Sequence, residues 1–103
     1  MESDLNALIA QKALGWTITA DGYQTPDGVR PFAAFQPCND INTAWTVLEQ
    51  VKEHCQLVSI RWVRGDHWMV EFAGYGTDGS KLGRDFSTSP AEAICHALVQ
   101  VLP

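Results

Sequence analysis

The residues of this chain that could do chemistry are few and scattered. In the closing stretch "SPAEAICHALVQVLP" Cys95 stands beside His96, and Cys55 follows His54 in the same way. A nucleophile with its base, or a metal site, needs such side chains to converge on one atom, and neighbours on a helix point about 100° apart. In a helix capped at Ser89, the residues Ala91, Ile94, Cys95, Leu98, Val99 and Leu102 form one apolar face. Cys95 therefore reads as a small core residue, and His96 falls beside Glu92 and Gln100 on the polar side. Helical spacing places Cys55 on an apolar face too, away from His54. No C-x-x-C pair occurs and His67 stands alone, so no metal site is expected. No G-x-S-x-G elbow is present. The glycine-rich stretch "GYGTDGSKLG", residues 74–83, resembles a phosphate-binding loop in composition, but it leads into a strand pattern rather than a helix. No catalytic residue and no cofactor is assigned.

Two candidate binding surfaces remain. Arg61, His67 and Glu71 share one face of an expected hairpin, where Arg61 and Glu71 are diagonal neighbours and should form a solvated cross-strand ion pair. The other comprises Trp16 and Trp45, each beside rather than within the apolar stripe of its helix. Four tryptophans are many for 103 residues, and rings left uncovered by three short helices suggest a self-association surface.

These residues must be held by a small set of elements. Leu5, Leu8, Ile9 and Ala13 mark a first helix that Gly15 can end. Residues 16–37 hold turn signals at Asp21-Gly22 and Asp27-Gly28 around extended pieces, a small hairpin at most. Asp40 can cap a second helix with Ala44, Val47, Leu48, Val51 and Cys55 on its apolar face. The stretches "QLVSIRWV" and "HWMVEFAGY" alternate as strands joined at Arg64-Gly65-Asp66, a register that sets Trp62 opposite Trp68 and Ile60 opposite Val70. A third strand, "KLGRDFS", is expected to point Leu82 and Phe86 inward, with Gly83 weakening its middle. Ser89, Pro90 and Glu92 supply an N-cap, a first-turn proline and a capping box for the last helix. The fold class is α+β: a layered helix/sheet sandwich, with an antiparallel meander of about three strands and three helices in a single domain over residues 1–103.

Composition narrows function further. Net charge is -5, from 12 acidic and 7 basic residues scattered singly, which argues against binding to nucleic acid or an anionic membrane. Apolar runs are too short to span a bilayer, and "MESDLNALIA" lacks a basic segment followed by a hydrophobic one. Three widely spaced cysteines fit reduced thiols, so a cytoplasmic location is expected.

Three boxes resemble the phage ABA sandwich domain family: "LNALIAQKALGW" (5–16), "RPFAAFQPCNDINTAWTVLEQV" (30–51) and "TSPAEAICHALV" (88–99). Trp68, Val70 and Phe72 lie between them in the right order. The resemblance implies layered helices on an antiparallel sheet, in a phage or prophage protein of a bacterial host, and brings no catalytic residues. Ala13-Leu14 and Cys38-Asn39 depart from the family's pattern, touching only packing and capping. The expected role is a non-enzymatic accessory protein that acts by protein–protein binding, with a host or phage protein as partner, and as a homodimer. The alternative is a small enzyme or ligand-binding domain with a site near Arg61, His67 and Glu71 or the 74–83 loop.

Overall fold

A computed structural model describes residues 2–63, 65, 67–76 and 79–102, with side chains from Leu5 onward. The first helix, α1 (Glu2–Lys12), closes as its sequence requires. Gly15 adopts φ +72°, and this left-handed turn lets the Leu14 N–H donate to the Ile9 carbonyl and the Trp16 N–H to that of Ala10.

Beyond it lie β1 (Thr17–Ile18), β2 (Tyr23–Thr25) and β3 (Gly28–Arg30), an antiparallel sheet in that order rather than the single hairpin expected. Both turn signals are used. At the second, the Thr25 hydroxyl donates to the Gly28 carbonyl and accepts from the Asp27 N–H. Strands of two and three residues carry too little alternation to be read from sequence.

A one-turn 3-10 helix (Phe32–Ala34) leads to α2 (Ile41–Val51). Asp40 caps it: one carboxylate oxygen accepts from the Asn42 N–H at 3.0 Å and the other from the Thr43 hydroxyl at 2.8 Å. Ala44, Val47, Leu48 and Val51 are buried, as their spacing predicts. Cys55 is not on this helix. A 3-10 turn (Lys52–His54) intervenes and leaves Cys55 in extended backbone, half-buried against the core.

The larger sheet is a meander of β4 (Leu57–Val63), β5 (His67–Tyr75) and β6 (Lys81–Ser87). Trp62 faces Trp68, Ile60 faces Val70 and Val58 faces Phe72, the register read from the sequence. The two indoles meet edge to face, 5.2 Å apart. Of the turn Arg64-Gly65-Asp66, only Gly65 is among the described residues, at φ +97°.

In β6 the expected orientation is reversed. Gly83 pairs with Phe72 and Asp85 with Val70, so these face the helices while Leu82 and Phe86 lie outside, 55% and 53% exposed. The reason is the last helix, α3 (Pro90–Val99), which packs on β5 and β6. A Cβ on Gly83 would sit 2.2 Å from the Ala97 carbonyl oxygen, so only glycine admits α3 this close.

Ser89 caps α3 by accepting from the Glu92 N–H at 3.3 Å, with Pro90 in the first turn. The capping box is not completed through Glu92, because the Ser89 N–H donates to the Ser87 hydroxyl instead. Gln100 fastens the end of α3 to β6, donating to the Arg84 carbonyl at 2.7 Å and accepting from the Arg84 N–H at 3.2 Å. Ile94, Leu98 and Val101 from this end meet Ile9, Val47, Val51, Val70 and Phe72 in one core. Buried Asn6 ties α1 to the segment before α2 by accepting from the Cys38 N–H. The result is α+β, with three α-helices and two three-stranded antiparallel sheets among the described residues.

Candidate functional site

The Cys95-His96 pair does not converge. Cys95 is buried in the core, while His96 Nδ1 lies 3.3 Å from a carboxylate oxygen of Asp85 on β6. No disulfide links Cys38, Cys55 and Cys95, and among the described residues no cluster of histidine, cysteine or carboxylate side chains could hold a metal.

The hairpin register does set Arg61, His67 and Glu71 on one sheet face, but each has a separate partner. Arg61 Nε donates to the Ser59 hydroxyl, and His67 Nδ1 lies 2.8 Å from the Gly65 carbonyl. Glu71, only 7% exposed, accepts from Arg84 Nε and Nη2 across β6. The ion pair expected with Arg61 is therefore made with Arg84, which sits directly opposite Glu71 in the ladder. Arg61 is only its diagonal neighbour on the other side. A directly opposed pair has the shorter reach, so Arg84 wins.

The glycine loop lines a cleft instead. About 530 Å³ of space is bounded by Lys12 and Ala13 at the end of α1, Glu53 to Gln56 after α2, and Gly74, Tyr75, Gly76 and Gly79. The Gln56 side chain lies so close to Gly74 and Gly79 that a methyl group on either would collide with it. Thr77 and Asp78 of this loop lie outside the described residues. The groups here are not tuned for nucleophilic attack. Burial pushes the Cys55 thiol up, which favours the unreactive protonated form, and burial followed by the nearby Cys55 raises the Tyr75 phenol. The cleft offers one lysine, one carboxylate and His54, whose ring is 6.1 Å from that of Tyr75.

A third feature is apolar. Trp45, Leu48 and Glu49 of α2, with Lys52 just beyond its end, face Val58 and Ile60 of β4 across a groove of about 340 Å³. Trp45 is 48% exposed, and Trp62, further along β4, is 56% exposed. Ile41 on the first turn of α2 is exposed as well. Glu49 and Lys52 pair with each other at 2.6 Å.

The four tryptophans thus divide two and two. Trp68 packs against the core, and Trp16 joins an aromatic cluster with Phe35, 4.8 Å away, and Tyr23. The Arg30 guanidinium covers the Trp16 ring at 5.7 Å. Trp16 is accordingly half-buried, and the exposed pair is Trp45 with Trp62. Position beside a helix stripe pointed to Trp45 and equally to Trp16, of which only Trp45 is exposed, while the exposure of Trp62 on β4 carried no such signal.

The sequence model of the phage ABA sandwich domain family matches residues 7–98. The chain belongs to that family. Its phage ABA sandwich fold is shared by the 2.0 Å crystal structure of a phage protein from Bacillus cereus ATCC 14579, with a TM-score of 0.73 at 24% identity. The likeness covers 98% of this chain and 91% of that one. No curated protein matches. The family is one of phage proteins without assigned activity. In this phage ABA sandwich chain the three sequence boxes correspond to α1 with its closing turn, to β3 through α2, and to α3. They are scaffold, and the groove between α2 and β4 and the cleft by the glycine loop are formed where scaffold elements meet. Among the described residues no helix is long and apolar enough to cross a membrane.

Proposed function

We propose that this chain is a non-enzymatic phage accessory protein that acts by binding other proteins, and that it works as a homodimer in the cytoplasm of the bacterial host. The observation that carries the reading is the groove between α2 and β4, with Trp45 half uncovered in its wall and Trp62 half uncovered further along β4. Indole rings half exposed beside a concave apolar surface favour a protein contact, since aromatic anchors in such sites dominate interface energies. A two-fold dimer covers such a surface with no second gene product. Light scattering at micromolar concentration should give about twice the chain mass, and Trp45→Glu should bring it toward one. A single-chain mass up to the highest soluble concentration overturns the homodimer. Purification of the tagged chain from infected cells, with mass spectrometry against a Trp45→Glu control, tests for a host or phage partner; identical recoveries reject binding through this groove.

A second reading, a ligand-binding domain, is favoured by one observation, the cleft beside the glycine loop. Of the two alternative sites expected from sequence, the loop has concavity and the Arg61, His67 and Glu71 face has its polar groups already partnered. Amide shifts of Lys12, His54 and Tyr75 on titration with a small-molecule collection would support it. Their constancy would leave the protein-binding reading alone.

A further inference from the structure

We propose that the free edge of β4 pairs antiparallel with β4 of a second copy, about a two-fold axis at Ile60, so that Trp62 of each copy enters the groove of the other. The inference rests on the homodimer reading and names its surface.

The two edges of the larger sheet are treated differently by the fold. At β6 the outward backbone groups of Arg84 are taken up by the Gln100 amide. At β4, among the described residues, no backbone hydrogen bond arrives from the side away from β5. The strand is seven residues long, without proline, and Arg61 is its single charge. Protected edges carry proline, bulges or several charges, and an edge that lacks them is a template for another strand.

Self-pairing of "LVSIRWV" has one register that uses the whole strand. With the axis at Ile60, Leu57 faces Val63 of the second copy, Val58 faces Trp62, Ser59 faces Arg61, and Ile60 faces Ile60. Faces are kept, because an axis through a residue preserves the two-residue alternation. An axis at Arg61 would oppose two like charges, and an axis at Ser59 would shorten the ladder and set Arg61 against Leu57. The Ile60 register also answers to the groove. Val58, the residue set against the incoming Trp62, is one of its walls, together with Trp45, Leu48, Ile60 and the mutually paired Glu49 and Lys52. The indole left 56% exposed on one copy is delivered to the apolar groove left open on the other. The two α2 helices then lie on the same side of one six-stranded sheet.

Disulfide trapping with light scattering tests it. Residues paired at a two-fold axis have Cα atoms about 4.5–5.5 Å apart, within reach of a disulfide. Residues at position 58 of the two copies would be separated by roughly 13 Å. Mild oxidation of Ile60→Cys should therefore give cross-linked dimer well above the wild-type background, and Val58→Cys should give none above it. Trp62 is exposed, so Trp62→Glu leaves the core intact and should shift the mass from two chains to one. A wild-type mass of one chain overturns the homodimer reading and this inference together. A two-chain mass that survives Trp62→Glu, or equal cross-linking at 58 and 60, overturns the β4 pairing while the homodimer stands.

Discussion

Gly83 of β6 and Ala97 of α3 meet backbone to backbone: a Cβ on Gly83 would be 2.2 Å from the Ala97 carbonyl oxygen, and it would also press on Val101 and Gln100. This contact sets the distance between the helix layer and the sheet. It also fixes which face of β6 looks inward.

Gly83→Ala should therefore destabilise the fold by an overpacking cost, on the order of 1–3 kcal/mol. A lowered urea midpoint with unchanged slope is the expected result. An unaltered midpoint would mean that α3 does not approach β6 this closely.

The same contact explains where the sequence was legible. The caps at Asp40 and Ser89, the Gly15 turn and the Trp62/Trp68 register are local or follow from two-residue alternation, and each appears as its residues predict. In β6 the alternation itself misleads: Leu82 and Phe86 are the strand's large apolar residues, yet they face out because the inward place opposite Phe72 must hold a glycine. A glycine there reads as a weak strand unless the helix above it is known. The β1–β3 sheet was too short to show a period, and the partners of Glu71 could not be ranked without knowing that β6 lies directly beside it. Nothing local announces the groove between α2 and β4, since its walls come from two elements brought together only by tertiary packing.

Phe72 and Phe86 provide a direct measure of the sheet's two faces. Phe72 is fully buried, so Phe72→Ala should cost about 3–5 kcal/mol, whereas exposed Phe86 should cost well under half of that. Denaturant midpoints for the two variants check it. Equal losses would return Phe86 to the core.

Glu71 is nearly buried and depends on Arg84, whose guanidinium is half in solvent. Arg84→Ala should cost about 1.5 kcal/mol, the low end for hydrogen bonds to a charged group because water screens the exposed partner. Arg61→Ala should stay within about 0.5 kcal/mol. A double-mutant cycle on Glu71 with each arginine should find coupling to Arg84 alone. Coupling to Arg61 of similar size would restore the diagonal pair.

At α3, Ser89→Ala removes the side-chain oxygen that accepts from the Glu92 N–H and should cost about 1 kcal/mol. Glu92→Ala should cost less, because its carboxylate does not close the box with the Ser89 N–H. Thermal or urea unfolding of both variants would rank them, and the reverse order would show that the box closes in solution.

The thiols should be idle at neutral pH, for two different reasons. Cys38 and Cys95 are buried, so they should react with a thiol reagent only as the chain opens. Cys55 is half-buried at the edge of the cleft, and burial pushes its thiol up. The thiolate is the reactive form, and burial disfavours the charged form, so less of it exists at pH 7 than for an ordinary cysteine. The sign is fixed by that direction: labelling of folded Cys55 should be slow at pH 7 and should still be rising with pH beyond about 8.5, where an unperturbed thiol is half ionised. Site-resolved labelling followed by mass spectrometry across that range measures it, with the denatured chain as reference. A rate that is fast at pH 7 and already flat by pH 8 would mean a depressed thiol, and would turn the cleft of Lys12, His54 and Cys55 into a candidate for nucleophilic chemistry after all.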